Sequence, residues 1–429
     1  ERLSTWVREK AGVRRHGTTH QSPLLLFSQQ EQAALLPLPT DPFTLCEIKP
    51  VKVLKTPEGE TVFDFGQIMV GHVRLKVRGE AGTTLTLRHF EVLDKEGNVY
   101  TANLRAAKQQ VKYTLKGGGD EVYEPHFSFQ GFRYVAVEGW PGEPTLDGLT
   151  GVVVHSDTPT TGRFTTSNPL LNQLQHNIRW GQKGNFLDVP TDCPQRDERL
   201  GWTGDAQVFA RTAAFNMDVA GFFTKWLGDV AADQQADGAV PHVVPNVLTT
   251  PEKRESASAA WADAAVIIPW NMYLSYGDER LLERQYPSMK AWVEYMRAKA
   301  GETHLWTTGF HFGDWLAFAS TASDYPGATT GKDLIAAAFY AHSTDLLQRA
   351  AAVLGKKEEA AEYAALLPKI KEAWVREFVT STGRVGENTQ TAYALALQFD
   401  LLPEDLRAEA ARRLAAEVKS RGHLTTGFV

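Results

Sequence analysis

The chain is short of cysteine, of basic charge and of long apolar runs, and each shortage removes a class of function. Its 429 residues include two cysteines, Cys46 and Cys193. They are too few for a disulfide framework and lack the paired spacing of a zinc motif. No histidine lies near Cys193 in sequence, so it reads as a small buried residue rather than a nucleophile. Acidic residues outnumber basic ones, 51 to 45, for a net charge of -6. There is no basic stripe and no phosphate-cradling glycine loop, which argues against a nucleic-acid partner. No apolar run approaches the roughly 20 residues that a membrane helix needs, so no membrane partner is expected. No secretory leader pattern opens the chain, and a cytoplasmic rather than secreted location is expected. The chain begins at Glu1 rather than Met, so its natural start is expected to lie upstream. No Asp/Asn-rich calcium loop is apparent, and nothing calls for a metal or a cofactor. Oligomeric state leaves no mark on the sequence.

What is present is a chain long enough for two or more domains, 43% hydrophobic and 22% charged. Tryptophan is abundant, with 11 residues. Its ring face suits the C–H surface of a sugar, and its N–H needs a partner when buried.

Residues 1–45 form a poorly determined N-terminal segment. Ser22–Phe27 has the pattern of a short strand and Leu36–Pro39 that of a linker. From about 46 to 162 the apolar period is two, as in 73–77, 84–87, 111–115 and 132–137. Turn clusters at 79–82, 94–97 and 117–120 separate these runs, and the pattern predicts an antiparallel β-sandwich. From 163 to 429 the period is 3.6. Asn168 followed by Pro169 predicts an N-cap with proline at the first helical position, and Leu171, Leu174 and Ile178 then share one face. Further helices are predicted near 204–215, 218–235, 257–276, 278–300, 332–353, 357–377, 389–400 and 403–420. Short connections predict antiparallel helical hairpins. The longer intervals 236–256 and 301–331 are rich in Trp, His, Asp and Gly, and loops of that length in a helical domain are usually functional. Trp226, Trp270 and Trp292 fall on helical stripes and are expected in the core.

One loop concentrates the chemistry. Asp192 to Asp205 reads Asp-Cys-Pro-Gln-Arg-Asp-Glu-Arg-Leu-Gly-Trp-Thr-Gly-Asp, with four carboxylates, two arginines and a tryptophan. Carboxylates held together raise at least one pKa, which is how an enzyme keeps a general acid protonated near neutral pH. Arginines and a tryptophan beside them suit a polar ligand with one apolar face. The bland alternative is a solvated surface whose arginines neutralise its acids.

The stretch Asp188 to Asp205 closely resembles the signature of the bacterial α-L-rhamnosidases, glycoside hydrolase family 78. Segments 63–67, 71–75, 89–93, 100–104, 123–125 and 130–134 are similar to the family's β-sandwich. Segments 261–265, 310–315, 331–334 and 389–393 are similar to its helical part. The resemblance covers about 45 to 429 in order. It implies a β-sandwich followed by an (α/α)6 barrel, and inverting hydrolysis of terminal non-reducing α-L-rhamnose from a rhamnose-containing glycoside or oligosaccharide. In that chemistry one carboxylic acid protonates the leaving oxygen and a second carboxylate, about 6.5–9.5 Å away, activates water. Through the resemblance Glu198 is the general acid. Asp192, Arg196 and Asp205 are ligands of the sugar hydroxyls, and Trp202, Trp261 and Trp315 are pocket walls. Asp197 and Arg199 are expected to brace the loop through salt bridges. Asp314 is expected behind Trp315, His242 and Asn246 on the pocket rim, and His311 as a structural histidine.

The chain departs from the family at its end. About nine helices are predicted where six hairpins need twelve, so the barrel is expected to be incomplete, with apolar faces exposed. The general base is expected beyond residue 429. Within the chain, Glu255 and Glu387 are candidates only because they lie in loops beside motif segments. Two other readings stay open: another inverting (α/α)6-barrel glycosidase, and a non-catalytic carbohydrate-binding fragment.

Overall fold

The computed structural model describes residues 12–15, 18–21, 43–249, 256–318 and 329–429. The predicted strand at 22–27 and linker at 36–39 lie outside them. The chain divides into two compact units. The first runs to Leu200 and takes in Phe215–Lys225; the second comprises Gly201–Ala214 and Trp226–Val429.

The first unit is built on β1 (Gly12–Arg15), β2 (Thr18–Gln21), β3 (Phe43–Ile48), β4 (Lys52–Lys55), β5 (Thr61–Arg78) and β6 (Thr84–Phe90). It continues with the short pair β7 (Val92–Leu93) and β8 (Val99–Tyr100), then β9 (Gln110–Thr114), β10 (Asp120–Tyr123), β11 (Gln130–Glu138) and β12 (Leu149–Ser156). The main sheet runs β2-β1-β3-β12-β5-β11-β6-β9, with β4 and β10 also on β5. The long strand β5 serves both layers, one half pairing with β4 and β11 and the other with β12 and β10. The expected antiparallel pairing has one exception, because β1 lies parallel to β3.

Alternation along the strands sends Phe63, Phe65, Val73, Leu75, Val77, Leu85, Leu87, Val135 and Val137 into one core. Gly71 is required where β5 crosses β12, since a Cβ there would sit 1.9 Å from the Val152 carbonyl oxygen. Beside β6, Gln109 has φ 45°, and its amide holds Gly131 at both N–H and C=O, 2.9 Å each. That clamp fixes residues 102–109, which adjoin the acid-rich loop.

Helix α1 (Pro169–Asn185) begins as predicted, with Asn168 accepting from the Leu170 N–H at 2.9 Å. Its apolar stripe is not covered by the other described residues of the unit. Leu174 is 53% exposed, and Leu171, Leu174 and Ile178 line a groove of about 330 Å³ with Phe164 and Phe215.

The other helices are α2 (Thr203–Asn216), α3 (Ala220–Asp233), α4 (Ala264–Tyr276), α5 (Glu279–Ala300), α6 (Lys332–Val353), α7 (Lys357–Phe378), α8 (Gln390–Gln398) and α9 (Glu404–Arg421). Nine α-helices are thus found among the described residues. In the second unit consecutive helices pack as hairpins, α4 on α5, α6 on α7 and α8 on α9. Helix α6 is buried around most of its circumference, so it sits between neighbours rather than at an edge. Gly277 ends α4 with φ 66°, and Asp278 caps α5 through the N–H groups of Arg280 and Leu281. Trp226 and Trp292 are fully buried, while Trp270 is half-buried. No helix of the described residues is long and apolar enough to cross a membrane.

One predicted helix needs correction. The span 257–276 becomes helical only at Ala264, and Trp261 lies in a turn. Ala257 and Ala260 both have φ 66°, outside the helical region, and the Asp263 carboxylate takes the Ala260 N–H at 2.8 Å. A side chain that satisfies a backbone donor in this way competes with helix formation.

Candidate active site

The acid-rich loop is closed at its base. Asp192 N–H donates to the Leu200 carbonyl and Leu200 N–H to Asp192 Oδ1, 3.0 Å each. Inside the loop Arg196 bridges two carboxylates. Its Nε donates to Glu198 Oε2 at 2.9 Å and its Nη2 to Asp192 Oδ2 at 3.3 Å. The Asp192 side chain is 6% exposed and that of Glu198 23%. The sequence prediction that one carboxyl is raised is met by Asp192. Burial lifts its pKa, the nearby Glu198 charge adds to the rise, and the bonds to the Cys193 thiol and the Leu200 N–H oppose it.

Cys193 is buried, and burial pushes its thiol up to about 12, so it stays protonated as a donor to Asp192. That excludes a resting thiolate. The ligating atoms of Asp192, Cys193 and Glu198 lie within 4.8 Å of one another, the one such convergence among the described residues. A protonated thiol and a bridging guanidinium already balance this trio, which makes it a poor fit for a cation.

The two expected braces differ in kind. Asp197 does face a cation, Arg105, at 4.0 Å, and accepts from the Ala106 N–H at 3.3 Å. Arg199 makes no ion pair among the described residues. It donates to the Phe129 carbonyl at 2.8 Å and lies 4.9 Å over the Phe129 ring, held there by a left-handed backbone at φ 50°.

In the second unit an aromatic group surrounds Phe312. Its ring centroid lies 5.6 Å from Trp202, 4.7 Å from Trp261, 6.0 Å from Trp315 and 5.0 Å from His242. Trp202 is half-buried and nearly parallel to His242, and its backbone pairs with Val243. Its Nε1–H is buried with no acceptor among the described residues. Trp261 is 3% exposed, enclosed by Phe312, Phe428 and Gly204, where a Cβ would approach the indole to 2.7 Å. Trp315 and Asp205 are half-buried, Asp205 in the first turn of α2. Asp314 is fully buried, taking the Thr391 hydroxyl and the N–H groups of Gly427 and Val429.

Asp192, Arg196 and Glu198 are therefore brought into direct contact in the first unit, and Trp202, Trp261 and Trp315 share one aromatic neighbour in the second. His242 was expected on a rim but is 2% exposed. His311 is structural, as expected: its Nδ1 accepts from Ala259 N–H at 3.0 Å and its Nε2 faces the Thr308 carbonyl at 3.2 Å. Glu387 accepts from the Gly331 N–H, and Glu255 lies outside the described residues. Sequence reasoning missed Phe312, although it sits inside the quoted segment 310–315, because tryptophans drew the assignment. Nothing in sequence pattern singled out Phe428.

The chain is similar to known proteins along most of its length. A family model described as the bacterial alpha-L-rhamnosidase 6 hairpin glycosidase domain matches residues 159–429. One described as the bacterial alpha-L-rhamnosidase concanavalin-like domain matches residues 54–155. The chain is 48% identical over 384 residues to an alpha-L-rhamnosidase of Streptomyces avermitilis, covering 89% of this chain and 36% of that protein. It is 42% identical over 375 residues to one of Formosa agariphila, covering 86% and 39%. The chain thus spans well under half the length of these relatives. Among solved structures it is similar to the Aspergillus terreus enzyme, with TM-score 0.88, 40% identity and coverage of 95% of this chain and 47% of that one. It is also similar to the Streptomyces avermitilis enzyme complexed with L-rhamnose, with TM-score 0.85, 46% identity and coverage of 92% and 37%.

Proposed function

This chain belongs to the bacterial α-L-rhamnosidase family, and from that premise we propose that it serves in the hydrolysis of terminal non-reducing α-L-rhamnose, with inversion at the anomeric carbon. The observation that carries the reading is the Asp192–Arg196–Glu198 arrangement. Glu198, the more exposed of the two carboxyls, is the general acid that protonates the leaving oxygen. Asp192 and Arg196 are ligands of the ring hydroxyls, and their fixed geometry places charge before the reaction begins.

In the other unit Asp205 is a further hydroxyl ligand. Trp202 and Trp315 are the half-buried rings suited to the sugar's C–H face. The Trp202 Nε1–H, buried without an acceptor among the described residues, is satisfied by a hydroxyl or water. Trp261 supports these walls from behind, since little of it is exposed. Rhamnose lacks a 6-hydroxyl, so its methyl group prefers apolar surface.

The test is hydrolysis of 4-nitrophenyl α-L-rhamnoside beside the matching α- and β-glucosides. Release from the rhamnoside alone supports the reading and means that a water-activating carboxylate lies within these 429 residues or arrives from another chain. Release from a glucoside instead contradicts the substrate assignment.

A further inference from the structure

We propose that Arg105, on the β-strand side of the first unit, is a positioning residue for the acid: together with Arg196 it holds one oxygen of the Glu198 carboxyl and leaves the other to deliver the proton. The inference rests on the reading of Glu198 as general acid and deepens it.

Both guanidinium contacts fall on the same atom. Glu198 Oε2 accepts from Arg196 Nε at 2.9 Å and from Arg105 Nη1 at 3.2 Å. No described residue donates to Oε1. A carboxyl held this way cannot turn about its last torsion without breaking both bonds, so the proton resides on Oε1. Proton transfer in a transition state depends on such placement.

Arg196 belongs to the loop itself, tied to Asp192, and moves with it. Arg105 comes from outside and is the contact that references the acid to the sheet. Its own placement is over-determined. The backbone at Arg105 is left-handed, φ 54°, a conformation that a non-glycine residue keeps only when its surroundings insist. The next N–H, of Ala106, is held by Asp197. Two residues earlier, Asn103 donates to Glu91 Oε2 at 3.1 Å, and the same oxygen takes Gln195 from the acid loop at 2.8 Å. Gln195 is seated against Gly131, where a Cβ would come within 2.9 Å of its side chain. The charged groups that face Glu198 are Arg105, Arg196 and Asp192, with the Cys193 thiol beside them, while Asp197 faces Arg105. The bland alternative is a surface ion pair, as Arg105 is 58% exposed and such pairs contribute little to stability. The test must therefore read proton delivery.

Initial rates are measured for the full chain, Arg105→Ala and Arg105→Lys on two rhamnosides. Methyl α-L-rhamnoside needs its leaving oxygen protonated; 2,4-dinitrophenyl α-L-rhamnoside does not. Arg105→Ala is expected to lose kcat about tenfold on the first and less than about twofold on the second, with KM little changed and with Arg105→Lys restoring most of the loss. Equal losses on both substrates, or none on either, overturn the proposal. A second measurement does not need turnover. In chain labelled at the glutamate carboxyl carbon, the Glu198 resonance, assigned through Glu198→Gln, is expected to move or broaden in Arg105→Ala. An unmoved resonance overturns the proposal. Absence of turnover by the unaltered chain leaves the family assignment standing, and the carboxyl resonance then decides the proposal.

Discussion

Phe428 lies almost flat against Trp261, with ring centroids 4.7 Å apart and an angle of 17° between the planes. Asp314 holds this arrangement by binding the N–H groups of Gly427 and Val429, and the Phe428 N–H donates to the Trp315 carbonyl at 2.9 Å. The segment 425–429 therefore covers one face of Trp261 while Phe312 meets it from elsewhere. Phe428→Ala is expected to destabilise the second unit by about 1 kcal/mol beyond the loss of buried area. It should also open Trp261 to a neutral fluorescence quencher. Urea unfolding with acrylamide quenching checks both; an unchanged quenching constant would show that the ring is not shielded there.

Asp263 joins three parts of the second unit. It accepts from Trp292 Nε1 on α5 at 2.9 Å, from the Ser343 hydroxyl on α6 at 2.6 Å and from the Ala260 N–H at 2.8 Å. Burial raises its pKa, and these bonds work against the rise. Asp263→Ala strands three buried donors, so a loss of at least about 3 kcal/mol is expected in denaturant unfolding. Asp263→Asn should recover part of it, since one carbonyl oxygen still serves Trp292 and Ser343.

Two buried histidines predict an acid-sensitive fold. Burial lowers both His89 and His311 to about 4. Unfolded, each would take up a proton near 6.5 that the folded form refuses until about 4, so stability is full above 6.5 and falls as pH drops between those values. At pH 5 each contributes a loss of about 2 kcal/mol relative to pH 8. Urea midpoints at the two pH values measure it, and a flat profile would refute it.

The exposed stripe on α1 predicts unequal answers to one substitution. Leu174→Ala, at a half-exposed site, should change stability by less than about 0.5 kcal/mol. Leu347→Ala, at a fully buried site on α6, should remove about 2–5 kcal/mol. Comparable losses at the two sites would mean that the α1 face is covered in solution.

Local pattern carried much of this architecture. Period-two alternation located β6, β9 and β11 and part of β5, and helix ends such as 278–300 and 332–353 came within a residue because caps and apolar stripes mark them. The full eighteen residues of β5 escaped notice, since their pairing partners change midway and no local signal records that. Trp261 was placed in a helix because its neighbours have helical composition; two left-handed alanines decided otherwise. The Asp192–Arg196–Glu198 contact is legible because its members lie within seven positions of one another in sequence. Arg105, 93 positions from Glu198, is invisible to any local reading. Its role depends on a strand-side segment folding back onto the loop.

The central claim is that Glu198 is the general acid. The most direct measurement is turnover of a natural α-L-rhamnoside by Glu198→Gln beside the unaltered chain, with L-rhamnose binding followed in the same samples. The account predicts a rate loss of at least about 100-fold with sugar affinity largely retained. Full turnover by the variant would contradict it.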